Sequence, residues 1–177
     1  MAPPAGAPWS KAYVSRIADR LLDEGYSVQR EIAIPSIPFK VDLIATRTRR
    51  EISKFGWFTR TFVLSCVSDP TPESVQQFSS LATDFGFATA NRRQTGARAS
   101  QRARTTLVVA AVVAEAAGNE VKDWIESDQP EKRWNAIDFR VLISGDDGKL
   151  HYYKKTPIWG AAYYSGVRDY VDEMLTI

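Results

Sequence analysis

Apolar residues recur along this chain with two periods, and the places where the period changes divide it into elements. Val14, Ile17, Ala18 and Leu21 follow Ser10 at helical spacing and Gly25 stands where a helix would stop, so a helix capped by Ser10 is predicted from there to Gly25. Val28, Arg30, Ile32 and Ile34 then alternate with Ser27, Gln29, Glu31 and Ala33. Pro35 and Pro38 force a turn before a second alternating run, Phe39 to Thr46, which gives two strands. Thr61 to Val67 is almost continuously apolar, as a strand covered on both faces must be, and is expected at the centre of a sheet.

Thr71-Pro72-Glu73 has the form of a helix start, with a capping residue, a proline at the first helical position and an acid in the first turn. Val75, Phe78, Leu81, Ala82 and Phe85 make the apolar stripe of that helix, expected to end at Gly86. Thr105 to Val113 reads as a fourth strand. A short helix over Glu120 to Ser127, a strand over Asn135 to Ser144, an Asp146-Asp147-Gly148 turn into Leu150 to Lys155, and a last helix from Gly160 to Leu175 complete the pattern. The prediction is an α/β fold whose core, about residues 10–113, runs helix, three strands, helix, strand, with residues 114–177 added as helix, β-hairpin and helix.

With 177 residues the chain fits one domain, 10–177, behind a Pro/Ala-rich arm, 1–9, expected to be disordered. The longest apolar run, Leu107 to Ala114, is far short of a membrane span, and the start lacks the blocks of a signal peptide, so no membrane partner and a cytoplasmic location are expected. One cysteine, Cys66, allows no internal disulfide, and one histidine, His151, leaves no Cys/His zinc site.

Charge changes this picture. Both ends of the chain are balanced, but 47–60 holds Arg47, Arg49, Arg50, Lys54 and Arg60 against Glu51 alone. Residues 91–106 hold Arg92, Arg93, Arg98, Arg102 and Arg104 and no acid. Arginine presents a planar fork of donors suited to phosphate oxygens, so these residues are candidate contacts to DNA or RNA; solvated loops would show the same composition.

The element order over 10–113 resembles the restriction-endonuclease-like fold of the PD-(D/E)XK nuclease superfamily, a mixed sheet flanked by helices. Gly25-Tyr26-Ser27-Val28 leading to Lys40-Val41-Asp42-Leu43-Ile44-Ala45 is similar to the pattern of Holliday-junction resolvases and Mrr-type restriction enzymes. The resemblance implies that Asp42 is the metal-binding aspartate. It also places the family's Glu-x-Lys at Ser65-Cys66-Val67, where a hydroxyl is a poor Mg²⁺ ligand and valine can hold no proton. A degenerate active site is therefore expected, with no efficient metal-dependent hydrolysis and no cofactor.

Three functions stay open: nucleic-acid binding through the arginine segments, an assembly module joining a second copy or an acidic protein, or an active nuclease. The last would need Mg²⁺ at a displaced set of Asp42, Lys40, Asp69 and Glu73. In the bland alternative Glu73 serves the helix dipole, Asp69 ends the strand and Lys40 is an edge charge.

Overall fold

The structure is a computed structural model that describes residues 8–34, 40–51, 56–92, 104–130, 136–156 and 161–177. Ten elements follow in the order α1 (Trp9–Asp23), β1 (Ser27–Ile32), β2 (Val41–Glu51), β3 (Gly56–Cys66), α2 (Pro72–Arg92), β4 (Arg104–Ala114), α3 (Asn119–Ser127), β5 (Ala136–Ser144), β6 (Lys149–His151) and α4 (Ala161–Leu175). The strands form one sheet in the order β1-β2-β3-β4-β5-β6. β2 runs antiparallel to both of its neighbours, β1 and β3; β3, β4 and β5 run parallel, and β6 returns antiparallel to β5. Each parallel step needs a crossover, and α2 and α3 supply the two.

Alternation along the strands sends side chains to two cores. Leu43, Phe62, Leu64, Val109, Phe139 and Val141 pack with Ile17 and Leu21 of α1 and Val171 and Leu175 of α4. Val63, Val108, Ala110 and Leu142 pack with Val75 and Phe78 of α2 and Val121 and Ile125 of α3. β4 contributes to both faces, which is why Leu107 to Ala114 reads as an unbroken apolar run.

Several boundaries differ from expectation, each for a physical reason. α1 begins at Trp9 after Pro8, with no side-chain cap. Ser10 lies inside it, and the N–H groups of Trp9 and Ser10 donate instead to the Glu115 carboxylate, 3.2 and 2.7 Å away. α2 passes straight through Gly86, because a glycine there serves packing: a Cβ would stand 2.7 Å from Val108 Cγ2. Gly25, in contrast, has φ +78° and does end α1. β2 and β3 extend as far as Glu51 and Gly56, so much of the basic segment 47–60 is strand and not loop. β6 is shorter than expected, ending at His151.

The region expected as an addition belongs to the core: β5 pairs with β4 along nine residues, and α4 packs in the same cluster as α1. Of the expected arm, residues 1–7 lie outside the described residues, while Pro8 and Trp9 belong to the start of α1. No helix among the described residues is long and apolar enough to cross a membrane.

Candidate functional site

Asp42 is the second residue of β2, between the positions paired with Ile32 and Arg30 on β1, and is 5% exposed. Its Oδ1 takes the ammonium of Lys11 from the first turns of α1, and its Oδ2 accepts the N–H of Cys66 on β3 at 2.7 Å. Burial works most strongly against the charge of Lys11, but the bond to Asp42 and the negative groups around it, Glu31 among them, together outweigh burial, and the pKa of Lys11 is raised. Burial pushes the Cys66 thiol up to about 12, and the neighbouring Asp42 charge adds to this, so the thiol is no nucleophile at neutral pH. Glu31 holds φ +52°, an uncommon conformation for a glutamate, and faces Lys40 at 3.6 Å. The pKa of Glu115 is lowered first by the Ser10 hydroxyl and then by the Ser10 backbone N–H. A patch of matched charges thus gathers where β1 ends, β2 begins, β3 and β4 finish and α1 starts.

The remaining candidates do not complete an acid cluster there. Leu64 and Cys66 pack on the α1 side and Val63 and Val67 on the α2 side, so alternation turns Ser65 toward α2, away from the face on which Lys11 meets Asp42. The Ser65 hydroxyl donates to the Lys40 carbonyl at 2.7 Å. Asp69 is exposed in the bend after β3, and Glu73 is exposed in the first turn of α2. Among the described residues no three His, Cys, Asp or Glu side chains come together as a metal site. A divalent ion therefore does not fit at Asp42: one carboxylate oxygen faces a lysine ammonium, the other a backbone N–H, and no second carboxylate joins them. Spacing along the strands did not reveal Lys11, Glu31 or Glu115 as members of this patch.

The arginines lie at the opposite end of the sheet. Arg47 and Arg60 are cross-strand neighbours on the α1/α4 face. Arg47 donates to the Glu24 carbonyl and lies 4.6 Å from the centre of the Tyr26 ring; Arg60 lies 4.7 Å from both Phe58 and Tyr170. These two are built into an aromatic bed. Arg49, one pleat further out, is exposed, and among the described residues no ion pair or hydrogen bond holds it. Backbone positions put Arg50 beside Trp57 and Trp57 beside Arg104, and α2 delivers Arg92 to the end of the sheet at which β4 starts. Arg93, Arg98 and Arg102 lie outside the described residues, in the stretch that joins Arg92 to Arg104. Seven residues of strand, about 23 Å, separate Arg49 from Asp42.

No protein-family model matches the chain, and no curated protein does. Among solved structures, the MspJI restriction endonuclease in complex with a 27-mer oligonucleotide is similar at a TM-score of 0.33 and 14% identity. The similarity covers 93% of this chain and 31% of that one, so the chain spans about a third of that protein's length.

Proposed function

We propose that this protein is a nuclease-fold relative that has lost the metal constellation and binds nucleic acid through its arginine-rich end. The reading is carried by one observation: strand register brings the 47–60 hairpin and both ends of the 93–103 stretch to the same end of the sheet. Sequence separation alone would leave these two basic segments unrelated. In this reading the two segments act together as one cationic surface, to which phosphate is the natural counter-charge. The order helix, strand, strand, strand, helix, strand from Trp9 to Ala114 supports the nuclease-fold part, and the lysine at Asp42 supports the loss of metal chemistry.

In this reading the protein cuts nothing. Arg49 and the arginines of 92–104 contact phosphates, while Arg47 and Arg60 hold the hairpin that presents them. If the five arginines of 92–104 each neutralise one phosphate of a duplex, they contribute about −4.5 to the log–log salt slope, and through them raising salt from 50 to 200 mM weakens binding about 500-fold. Fluorescence anisotropy with labelled duplex and single strands measures this. Binding that ignores salt, or none at low salt, ends the proposal; a stable oligomer by light scattering without such binding would favour the assembly module. Mg²⁺- or Mn²⁺-dependent cleavage abolished by Asp42→Ala would overturn the loss of catalysis.

A further inference from the structure

Trp9 and Ile177 are large apolar side chains left 36% and 44% exposed, and both line one cavity. It encloses about 450 Å³ between α1, the turn from β5 to β6 and the end of α4. Small-molecule sites typically enclose about 300–1,000 Å³. Tyr13, Ile143 and Leu175 are buried and Leu150 is half-buried, so the floor is apolar.

The walls are fixed from within the chain. A Cβ on Gly145 would stand 2.7 Å from Trp9 Cε3 and 2.8 Å from the Glu115 carbonyl oxygen, so a bare glycine lets the indole lie against the turn. The Trp9 ring centre is 5.1 Å from that of Tyr13, tilted by 32°, and the two rings form an aromatic wall. The Tyr13 hydroxyl donates to the Leu175 carbonyl, and Arg20 donates to the carbonyls of Glu173, at 3.1 Å, and of Thr176. These bonds tie the end of α4 to α1 and set the cavity before a ligand arrives.

Three charged residues line it: Arg16, Lys149 and Asp172. Asp172 already accepts the Tyr152 hydroxyl, at 2.8 and 3.0 Å from its two oxygens. Arg16 and Lys149 are exposed, and among the described residues neither side chain has an ion pair or hydrogen bond. Two unmatched cations call for an anion, whereas the Asp172 carboxylate weighs against a second negative charge on the ligand. The paired rings favour a flat apolar body.

We infer that this cavity binds a small aromatic monocarboxylate, its ring against Trp9 and Tyr13 and its carboxylate toward Arg16 and Lys149. The inference stands apart from the nucleic-acid reading, since no arginine of 47–60 or 92–104 lines the cavity.

The test titrates 1-naphthylacetate and its neutral amide into the full chain at fixed pH and salt and follows the backbone and indole N–H signals. Those of Gly148, Lys149, Leu150 and the Trp9 indole should move. The acid should bind about tenfold more tightly than the amide, because hydrogen bonds to a charged partner are the stronger class. Arg16→Gln and Lys149→Gln should each reduce that preference about threefold, and the double variant should bring the ratio near one while the amide binds as before. Both positions are exposed, so melting should barely change. Arg49→Gln should leave the ratio unaltered. Equal affinity for acid and amide overturns the inference, as does a preference that survives the double variant or a cavity whose signals move with neither compound. Movement with the acid confined to Thr48 and Arg49 also overturns it, because the anion would then sit at the arginine end.

Discussion

The two ends of the sheet handle charge in opposite ways. Where β2 begins, Asp42 has Lys11 and the Cys66 N–H, Lys40 has Glu31, and the first N–H groups of α1 have Glu115. Where β2 ends, Arg47 and Arg60 are spent on aromatic rings and Arg49 stands exposed, at the end of the sheet where β4 starts with Arg104. Charges neutralised inside the molecule fasten one element to another, whereas charges left unmatched are available to a partner. Asp42, the candidate that the resemblance to nucleases singled out, falls in the first class, as does Arg47, which faces the Glu24 carboxylate at 3.6 Å; Arg49, which no motif singled out, falls in the second.

Substitutions should separate these classes, beginning with the largest effect. Lys11→Met leaves the Asp42 side chain, 4% exposed, as an uncompensated buried charge and should cost about 3 kcal/mol in urea unfolding. Adding Asp42→Leu should recover part of that loss, the Cys66 N–H still lacking its acceptor, and no recovery would mean that the pair is not what joins α1 to β2. Asp42→Ala alone should cost less, about 2 kcal/mol, because Lys11 is 42% exposed and can turn to water, so the loss is mainly the acceptor of the Cys66 N–H.

Glu115→Ala removes the anion from the start of α1 and should cost about 1 kcal/mol. Since folding depresses the pKa of Glu115, its contribution is complete above the ordinary glutamate range and fades as pH falls through the lowered value. Melting temperatures of wild type and variant should therefore converge in acid. The smallest stability effect belongs to Arg49→Gln, which should stay within about 0.5 kcal/mol while reducing the salt slope of nucleic-acid binding by about 0.9. A large stability loss there would place Arg49 with Arg47 as a structural residue and weaken the contrast between the two ends.

Local signals carried much of the fold. Thr71-Pro72-Glu73 did start a helix, with the Thr71 N–H donating to Ser74 Oγ at 2.9 Å and Ser74 N–H reaching Thr71 Oγ1 at 3.3 Å. The apolar run Leu107 to Ala114 of β4 and the alternating β1 could be read because burial on two faces or one leaves a period in the chain. Two glycines show the limit: Gly25 and Gly86 look alike as helix stops, and only the approach of Val108 tells that the second is a seat for packing. The site was less legible. Asp42 stood out as an acid in an apolar strand, but its partners come from 31 and 24 residues away, and Glu115 meets Ser10 across 105. The facing of Ser65 away from Asp42 depends on how two strands stack against helices on either side, which residue spacing within one strand does not encode. Asp138 and Arg140 interrupt a strand in plain sight, yet their partners, Ser79 and Thr83 on α2 and Asp128 after α3, come from elsewhere in the chain.

The place of β5 beside β4 also bears on where this chain can be cut. A fragment ending at Ala114 would keep every element of the nuclease-like order but would leave β4 as an open border, its amides unpaired over nine residues and its Val-rich faces bare. Such a border is a template for strand pairing between copies, so the shortened chain is expected to precipitate on expression where the full chain folds.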